Sequence, residues 1–402
     1  MAGRRSFDKP GTGALYGKHK ETEDMTDEVK DNSQEIRPVA IATERDPAEV
    51  KKWMDPDVDR AKFAASLAKV NGAKVGDIWD WTAAMAEYAK RPRYVTGFNF
   101  MDDQLDGGLF PGLYVLGATP SAGKTSFVLQ LADQLAYMGR DVLFFSLEMS
   151  KTELIAKSIS RYSYLEWNGK EDYYADQKIT RPNTTRDILN GKPSRLLAAA
   201  QNDYFQHVAP HVYIFEADDE ATAGAIRDAV EAYTVVQREF KPKETDPPVI
   251  IVDYLQIIAP KDARMTDKMA VDMNVKALKQ LSRDYGAPVV VVSSYNRNSY
   301  RTEAAMEAFK ESGAIEYSCD VLLALQFRNE DPDQPIDLTK AKAASERDMQ
   351  LVILKNRNGR AGGELYYKYK AMYNFFEETD GFKDVKPGQV PKDFDEKPRR
   401  RG

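Results

Sequence analysis

The sequence predicts an α/β domain built on a mainly parallel sheet across residues 96–376. Three observations predict it. Short apolar, β-branched runs alternate with stretches of helical periodicity, the pattern of successive strand and helix units. The interior runs are apolar at every position rather than every second one, as strands covered on both faces must be. A loop of small residues ending in Gly-Lys-Thr follows the first of these runs and opens a helical pattern.

Taken in order, the first 60 residues hold only eight Ile, Leu, Val or Phe, too few to offset the entropy of ordering them. Residues 1–46 are therefore read as a disordered tail. In 47–93, "DVDRAKFAASLAKV" and "VGDIWDWTAAMAEYAKRP" carry apolar residues three to four apart, the mark of two short helices in an arm or linker. Strand candidates then fall at 113–117, 141–148, 211–217, 249–253, 288–294, 320–327, 350–355 and 364–370. Helical patterns occupy 124–138, 151–163, 221–237 and 268–285, and the polar, aromatic stretch 164–193 reads as an insertion. The main domain is assigned to 94–378. The end, "KPGQVPKDFDEKPRRRG", has three prolines and an Arg triplet, so 379–402 is read as a flexible tail.

With 57 Lys+Arg against 63 Asp+Glu in 402 residues, the net charge of −6 excludes a basic nucleic-acid coat. It still permits a focused basic channel, because attraction depends on local charge. One cysteine, Cys319, and three histidines, His19, His207 and His211, exclude a disulfide scaffold and a zinc module. No apolar run nears the ~18 residues of a membrane span, and the start lacks the apolar middle of a signal peptide. A soluble, cytoplasmic protein with no membrane partner is expected.

The loop reads Ala118-Thr119-Pro120-Ser121-Ala122-Gly123-Lys124-Thr125-Ser126, the phosphate-loop pattern with Ala in its first position. Small residues let successive N–H groups curl around phosphates, and the helix that follows points its positive end at them. Lys124 is the expected partner of the β- and γ-phosphates of ATP, and Thr125 of Mg2+. Some 130 residues on, the run Val249 to Val252 ends in Asp253, placed to reach that metal through water. Glu148, closing the second strand in "FSLEM", can orient the attacking water if the strand ends share one crevice.

These residues together resemble the RecA-like motor domain of the DnaB-type replicative helicases. "TGFNFMDDQLDGGLFPG" precedes the loop, and "PSAGKT", "FSLEMS", "VIIVDYLQII", "SSYNR", "ESGAIE" and "KNRNG" follow in the family's order. The resemblance implies a RecA-like phosphate-loop NTPase core, ATP and Mg2+ as cofactors, and a hexameric ring moving 5′ to 3′ on single-stranded DNA in replication. It implies that Lys355 and Arg357 reach a neighbouring subunit's nucleotide site as piston and arginine finger. It implies DNA contacts from Lys310, Glu311 and Gly313. Where the family carries a Gln sensor of the γ-phosphate, this chain has Ser294, and where an Arg is common it has Lys310. The helical collar of bacterial members is not recognisable in 1–93, so a primase or helicase loader is an expected partner. Two other readings stay open: a recombination ATPase of the RadA type, whose "KNRFG" block nearly matches "KNRNG", and an ATP-dependent loader or scaffold that does not unwind.

Overall fold

The structure is a computed structural model describing residues 78–216, 221–240, 246–260, 264–295, 309, 313–329 and 336–384. The chain divides into units Met1–Ile78 and Trp79–Gly402. The described residues belong, but for Ile78, to the second. The tail expected over 1–46 and the first of the two arm helices lie outside the described residues.

Chain order begins with α1 (Ile78–Ala89), whose Trp81, Met85 and Tyr88 are exposed on one face, and the short α2 (Asn99–Gln104). Then come β1 (Gly112–Ala118), α3 (Lys124–Tyr137), β2 (Val142–Ser146) and α4 (Lys151–Trp167). The stretch read as an insertion contains helix: α4 runs four residues past 163, and the short α5 (Glu171–Ala175) and α6 (Thr185–Leu189) follow. Two of its polar residues make a helix cap. Thr184 and Asp187 form a reciprocal capping box at the start of α6, which polar composition alone disguises as loop. Next are α7 (Arg195–His207), β3 (Val212–Glu216), α8 (Ala223–Phe240), β4 (Val249–Asp253), α9 (Asp267–Tyr285) and β5 (Pro288–Ser294). The chain closes with α10 (Gly313–Ser318), β6 (Val321–Phe327), α11 (Leu338–Ala343), β7 (Glu346–Asn356), β8 (Gly363–Lys370) and β9 (Phe375–Asp384).

One nine-stranded sheet has the order β3-β2-β4-β5-β1-β6-β7-β8-β9. The pairs from β3 to β6 are parallel, and the last three strands join antiparallel. Strands β1, β2 and β4 are buried at every residue, whereas β8 alternates buried and half-buried. That difference is physical: the central strands have helices on both faces, and β8 has a packed face and a wetter one. The pattern "FFEETDGFKD" is too charged to read as a strand, and β9 crosses the 378/379 limit set for the tail.

Apolar packing covers both faces of the sheet. One cluster stacks Phe98 on Phe127 with ring centroids 5.1 Å apart and sets Tyr367 and Phe376 edge-on to Phe127. The other packs Leu278 and Leu281 of α9 beneath Val289 and Val291 of β5. Between α3, α4 and the β8–β9 turn lies a buried ion pair, Asp133 with Arg161, each about 1% exposed. Arg161 also donates to the Asn374 carbonyl at 2.7 Å. Burial pushes the Asp133 carboxyl up, and the guanidinium opposes that shift. Removing one partner leaves a buried charge uncompensated, so Asp133→Ala is expected to cost about 3–5 kcal/mol in urea unfolding.

Glu378 of β9 accepts from the amides of Asn99 at 2.6 Å and Phe100 at 3.1 Å, fastening α2 to the sheet edge. Burial nevertheless raises its carboxyl to about 7, against those hydrogen bonds. A carboxyl that holds its proton longer when folded loses stability as pH rises from the unfolded value, 4.5, through about 7. Stability of the wild type should fall across that window, and Glu378→Gln should flatten the slope in melts taken between pH 5 and 8.

Candidate nucleotide site

Parallel strands leave their carboxyl ends on one edge, and the residues the sequence singled out gather there. β1 delivers Ala118, followed by Thr119, Pro120, Ser121 and Ala122, and the loop turns into α3 at Gly123. Gly123 has φ +91°, and a Cβ there would meet the Tyr369 ring at 2.8 Å and the Phe376 ring at 2.9 Å. Both the backbone and the space demand glycine. Gly117, just before the loop, is equally crowded: a Cβ would meet Phe309 at 2.2 Å.

Lys124 is half-buried, and burial draws its pKa down while Asp253 and Glu148 pull it back up. No carboxylate among the described residues is at ion-pair distance from it. Asp253 is 2% exposed. Burial raises its carboxyl, and a hydrogen bond from the Thr125 hydroxyl is the largest opposing influence. A threonine oxygen and a carboxylate so joined are hard oxygen donors of the kind Mg2+ takes. The Thr119 hydroxyl is buried without a partner, and it points to a ligand in the loop rather than to a finished core. The donor set fits a nucleotide phosphate with a divalent cation.

Glu148 is exposed and lies two residues beyond β2, which ends at Ser146 and not at 148. The strand stops because the Ser146 hydroxyl donates to the Met149 carbonyl at 2.6 Å and bends the chain. The Leu147 amide donates to the Asp253 carbonyl at 2.8 Å, so the two strand ends are tied. Glu148 raises the Asp253 carboxyl through its field, which places it at the same corner.

Ser294 stands level with Ala118 in the β1–β5 register. Its amide donates to Gln256 Oε1 at 3.3 Å, and Gln256 Nε2 donates to Ser293 Oγ at 2.9 Å. Sequence reasoning missed Gln256, which fills the gap between β4 and β5. It missed two further residues. Asn374, in the left-handed region at φ 54°, accepts from Ser126 at 3.1 Å and from Lys157 Nζ at 3.0 Å. Lys157 of α4 acts electrostatically on Asp253, so a second cation borders the site. Nothing in the local sequence marks either one, since they meet the loop only through folding.

Lys355 and Arg357 do not join this corner. Lys355 is level with Leu322 of β6 and, through it, with Val115 of β1, three residues before Ala118. At about 3.3 Å per residue and 4.8 Å per strand, its backbone is roughly 14 Å from Ala118. Its ammonium turns to the far end of the sheet, donating to the carbonyls of Glu316 at 2.6 Å and Cys319 at 2.9 Å. Arg357 is 3.4 Å from Asp320 and donates to the Tyr317 carbonyl at 3.3 Å. Of the expected DNA-contact residues, Gly313 opens α10 and is exposed, and Lys310 and Glu311 lie outside the described residues. Phe309, just before them, is buried edge-on to Tyr295 with centroids 5.2 Å apart and against Gly117.

A phosphate loop at the end of β1, an acid at the end of β4 and this strand order define a nucleotide-binding α/β ATPase domain. Residues 94–378 match the family described as the DnaB-like helicase C terminal domain, and the chain belongs to that family. Among curated relatives it is 24% identical over 328 residues to the replicative DNA helicase DnaB of Helicobacter pylori strain J99, covering 74% of this chain and 62% of that one. It is 24% identical over 291 residues to a probable replicative DNA helicase of Trieres chinensis, covering 70% of this chain and 56% of that one. It is 26% identical over 272 residues to DnaB of Geobacillus stearothermophilus, covering 66% and 52%. The chain thus spans between about half and three fifths of these relatives. Of solved structures, one described as an ATPase domain superposes with TM-score 0.60 at 19% identity, over 76% of this chain and all of that one. A DnaB-like replicative helicase, solved for its interactions with primase, gives 0.56 at 18%, over 82% and 70%. At that identity these two establish the fold. Among the described residues no helix is long and apolar enough to cross a membrane.

Because Gly123 is both left-handed and enclosed, Gly123→Ala is expected to lower stability by about 2 kcal/mol. It should also abolish binding of a fluorescent ATP analogue. Urea titration and fluorescence anisotropy check the two effects.

Proposed function

We propose that this chain is an ATP-driven motor that translocates on single-stranded DNA and unwinds duplex DNA in replication, working 5′ to 3′ as a homohexameric ring. One observation carries the ring: the two cations of "KNRNG" face the opposite end of the sheet from their own phosphate loop. An arginine so placed is turned away from its own phosphate loop, which supports a role at another subunit's site. Lys124 and the backbone N–H groups of Thr119 and of Ser121 to Ser126 hold the phosphates of ATP, Pro120 having no N–H to give, and Thr125 with Asp253 holds Mg2+. The metal supplies charge neutralisation on the phosphate oxygens. Glu148, exposed at the rim, orients water for attack, and a neighbour's Arg357, with Lys355 beside it, stabilises the charge that develops.

The DNA contacts belong to Lys310, Glu311 and Gly313. The described residues on either side support that reading. Phe309 rests on Gly117, one residue before the loop, and α10 starts at Gly313 and ends on the carbonyls that Lys355 holds. A primase or a loader is the fitting partner, in line with the primase interactions of the solved relative.

The test combines ATP turnover, with and without single-stranded DNA, and strand displacement on a fork. Lys124→Ala should abolish both. Arg357→Ala should lower kcat by about a thousandfold in assembled particles. Mixing the two variants should restore part of the turnover, because each supplies what the other lacks. Arg357→Ala rings that hydrolyse at the wild-type rate would overturn the shared site, and DNA-stimulated turnover without displacement would make the chain a scaffold.

A further inference from the structure

The phosphate loop contains a residue that glycine would fit more easily. Ser121 has φ +67°, a left-handed conformation that L side chains rarely adopt, and something in the structure must hold it. Arg347, near the start of β7, lies beside it. Its Nη1 donates to the Ser121 carbonyl at 3.0 Å, its Nη2 to the Lys342 carbonyl at 2.6 Å and its Nε to the Ala344 carbonyl at 3.4 Å. Two of these bonds fix the guanidinium on the residues just before β7, and the third is left for the loop.

The guanidinium also lies over the Tyr369 ring, 5.7 Å from its centroid, and Arg347 pairs with Tyr369 across β7 and β8. The same tyrosine walls Gly123, and its hydroxyl donates to Ser126 Oγ at 3.1 Å. Loop positions 121, 123 and 126 are thus all braced from the antiparallel end of the sheet. For the loop's amides to face phosphate, its carbonyls must point outward, and the outward Ser121 carbonyl is the one Arg347 takes.

We propose that Arg347 is a positioning residue of the nucleotide site, holding the Ser121 peptide in the orientation that lets the loop bind phosphate. This rests on the ATP-binding reading above. Because β7 is antiparallel to β6, its first residues lie at the phosphate edge and its last, Lys355 among them and Arg357 just beyond, at the opposite edge. A single eleven-residue strand therefore carries the brace of its own loop at one end and the cations for a neighbour's loop at the other.

The test compares wild type, Arg347→Met and Arg347→Lys in the full chain, by binding of a fluorescent ATP analogue with Mg2+ and by steady-state turnover. Loop amides contact phosphate before and during reaction alike, so losing the brace should raise KM and leave kcat nearly unchanged. Arg347→Met should weaken binding and raise KM about tenfold, the usual scale of one charged hydrogen bond, and Arg347→Lys should recover most of it. Ser121→Gly in the Arg347→Met background should also restore affinity, because glycine holds that φ unaided. Arg347→Met binding within about twofold of wild type, or a fall in kcat at unchanged KM, would overturn the proposal. If Arg347→Met does not fold, Arg347→Lys with and without Ser121→Gly decides in the same way. Wild type that fails to bind the analogue would remove the ATP-binding reading itself.

Discussion

A half-buried ammonium and a buried carboxylate share one corner, with a second carboxylate at its rim, and that constraint organises the domain. Lys124 and Asp253 are both strained by burial, each in the direction of losing its charge. What keeps the corner usable is mutual support: each offsets part of the other's desolvation, and the Thr125 hydroxyl adds a hydrogen bond to Asp253. A polyanion with a divalent metal completes such a charge set, whereas water alone leaves it partly unmet.

Holding that corner takes two different kinds of sheet. Parallel strands place Ala118, Ser146 and Asp253 on one edge through main-chain pairing, so their spacing is fixed by the ladder. The antiparallel strands then fold back against the loop. Tyr369 and Asn374 contact Ser126, and Asn374 reaches Lys157 and Thr185 as well. Beside them the buried pair of Asp133 and Arg161 locks α3 to α4 and to the same turn. The stretch 164–193, which sequence reading set aside as an insertion, is tied into this network through Thr185.

The opposite edge of the sheet holds its cations differently. Lys279, Arg357 and the Leu113 amide all converge on Asp320, and Lys355 caps the end of α10. Positive groups at a helix carboxyl end are favourably placed, so Lys355 is at rest where it stands. The two edges are bridged inside one subunit by β1, whose Gly117 supports Phe309, and by β7.

The amino-acid sequence by itself determined the parallel half of the fold and the residues at its edge. β4 and β5 occupy the segments expected from apolar runs, and Lys124, Thr125 and Asp253 meet at one corner, with Glu148 beside them although it lies two residues past its strand. Those features are local: a buried strand must be apolar throughout, and a phosphate loop must be small residues between a strand and a helix. Tertiary structure alone decided that β9 is a strand, that 164–193 carries two short helices, and that Gln256, Lys157, Asn374 and Arg347 border the site. Each of these four side chains reaches its partner across 37 to 248 residues of chain. Such distances are closed only when the sheet forms, so no window of sequence carries the signal.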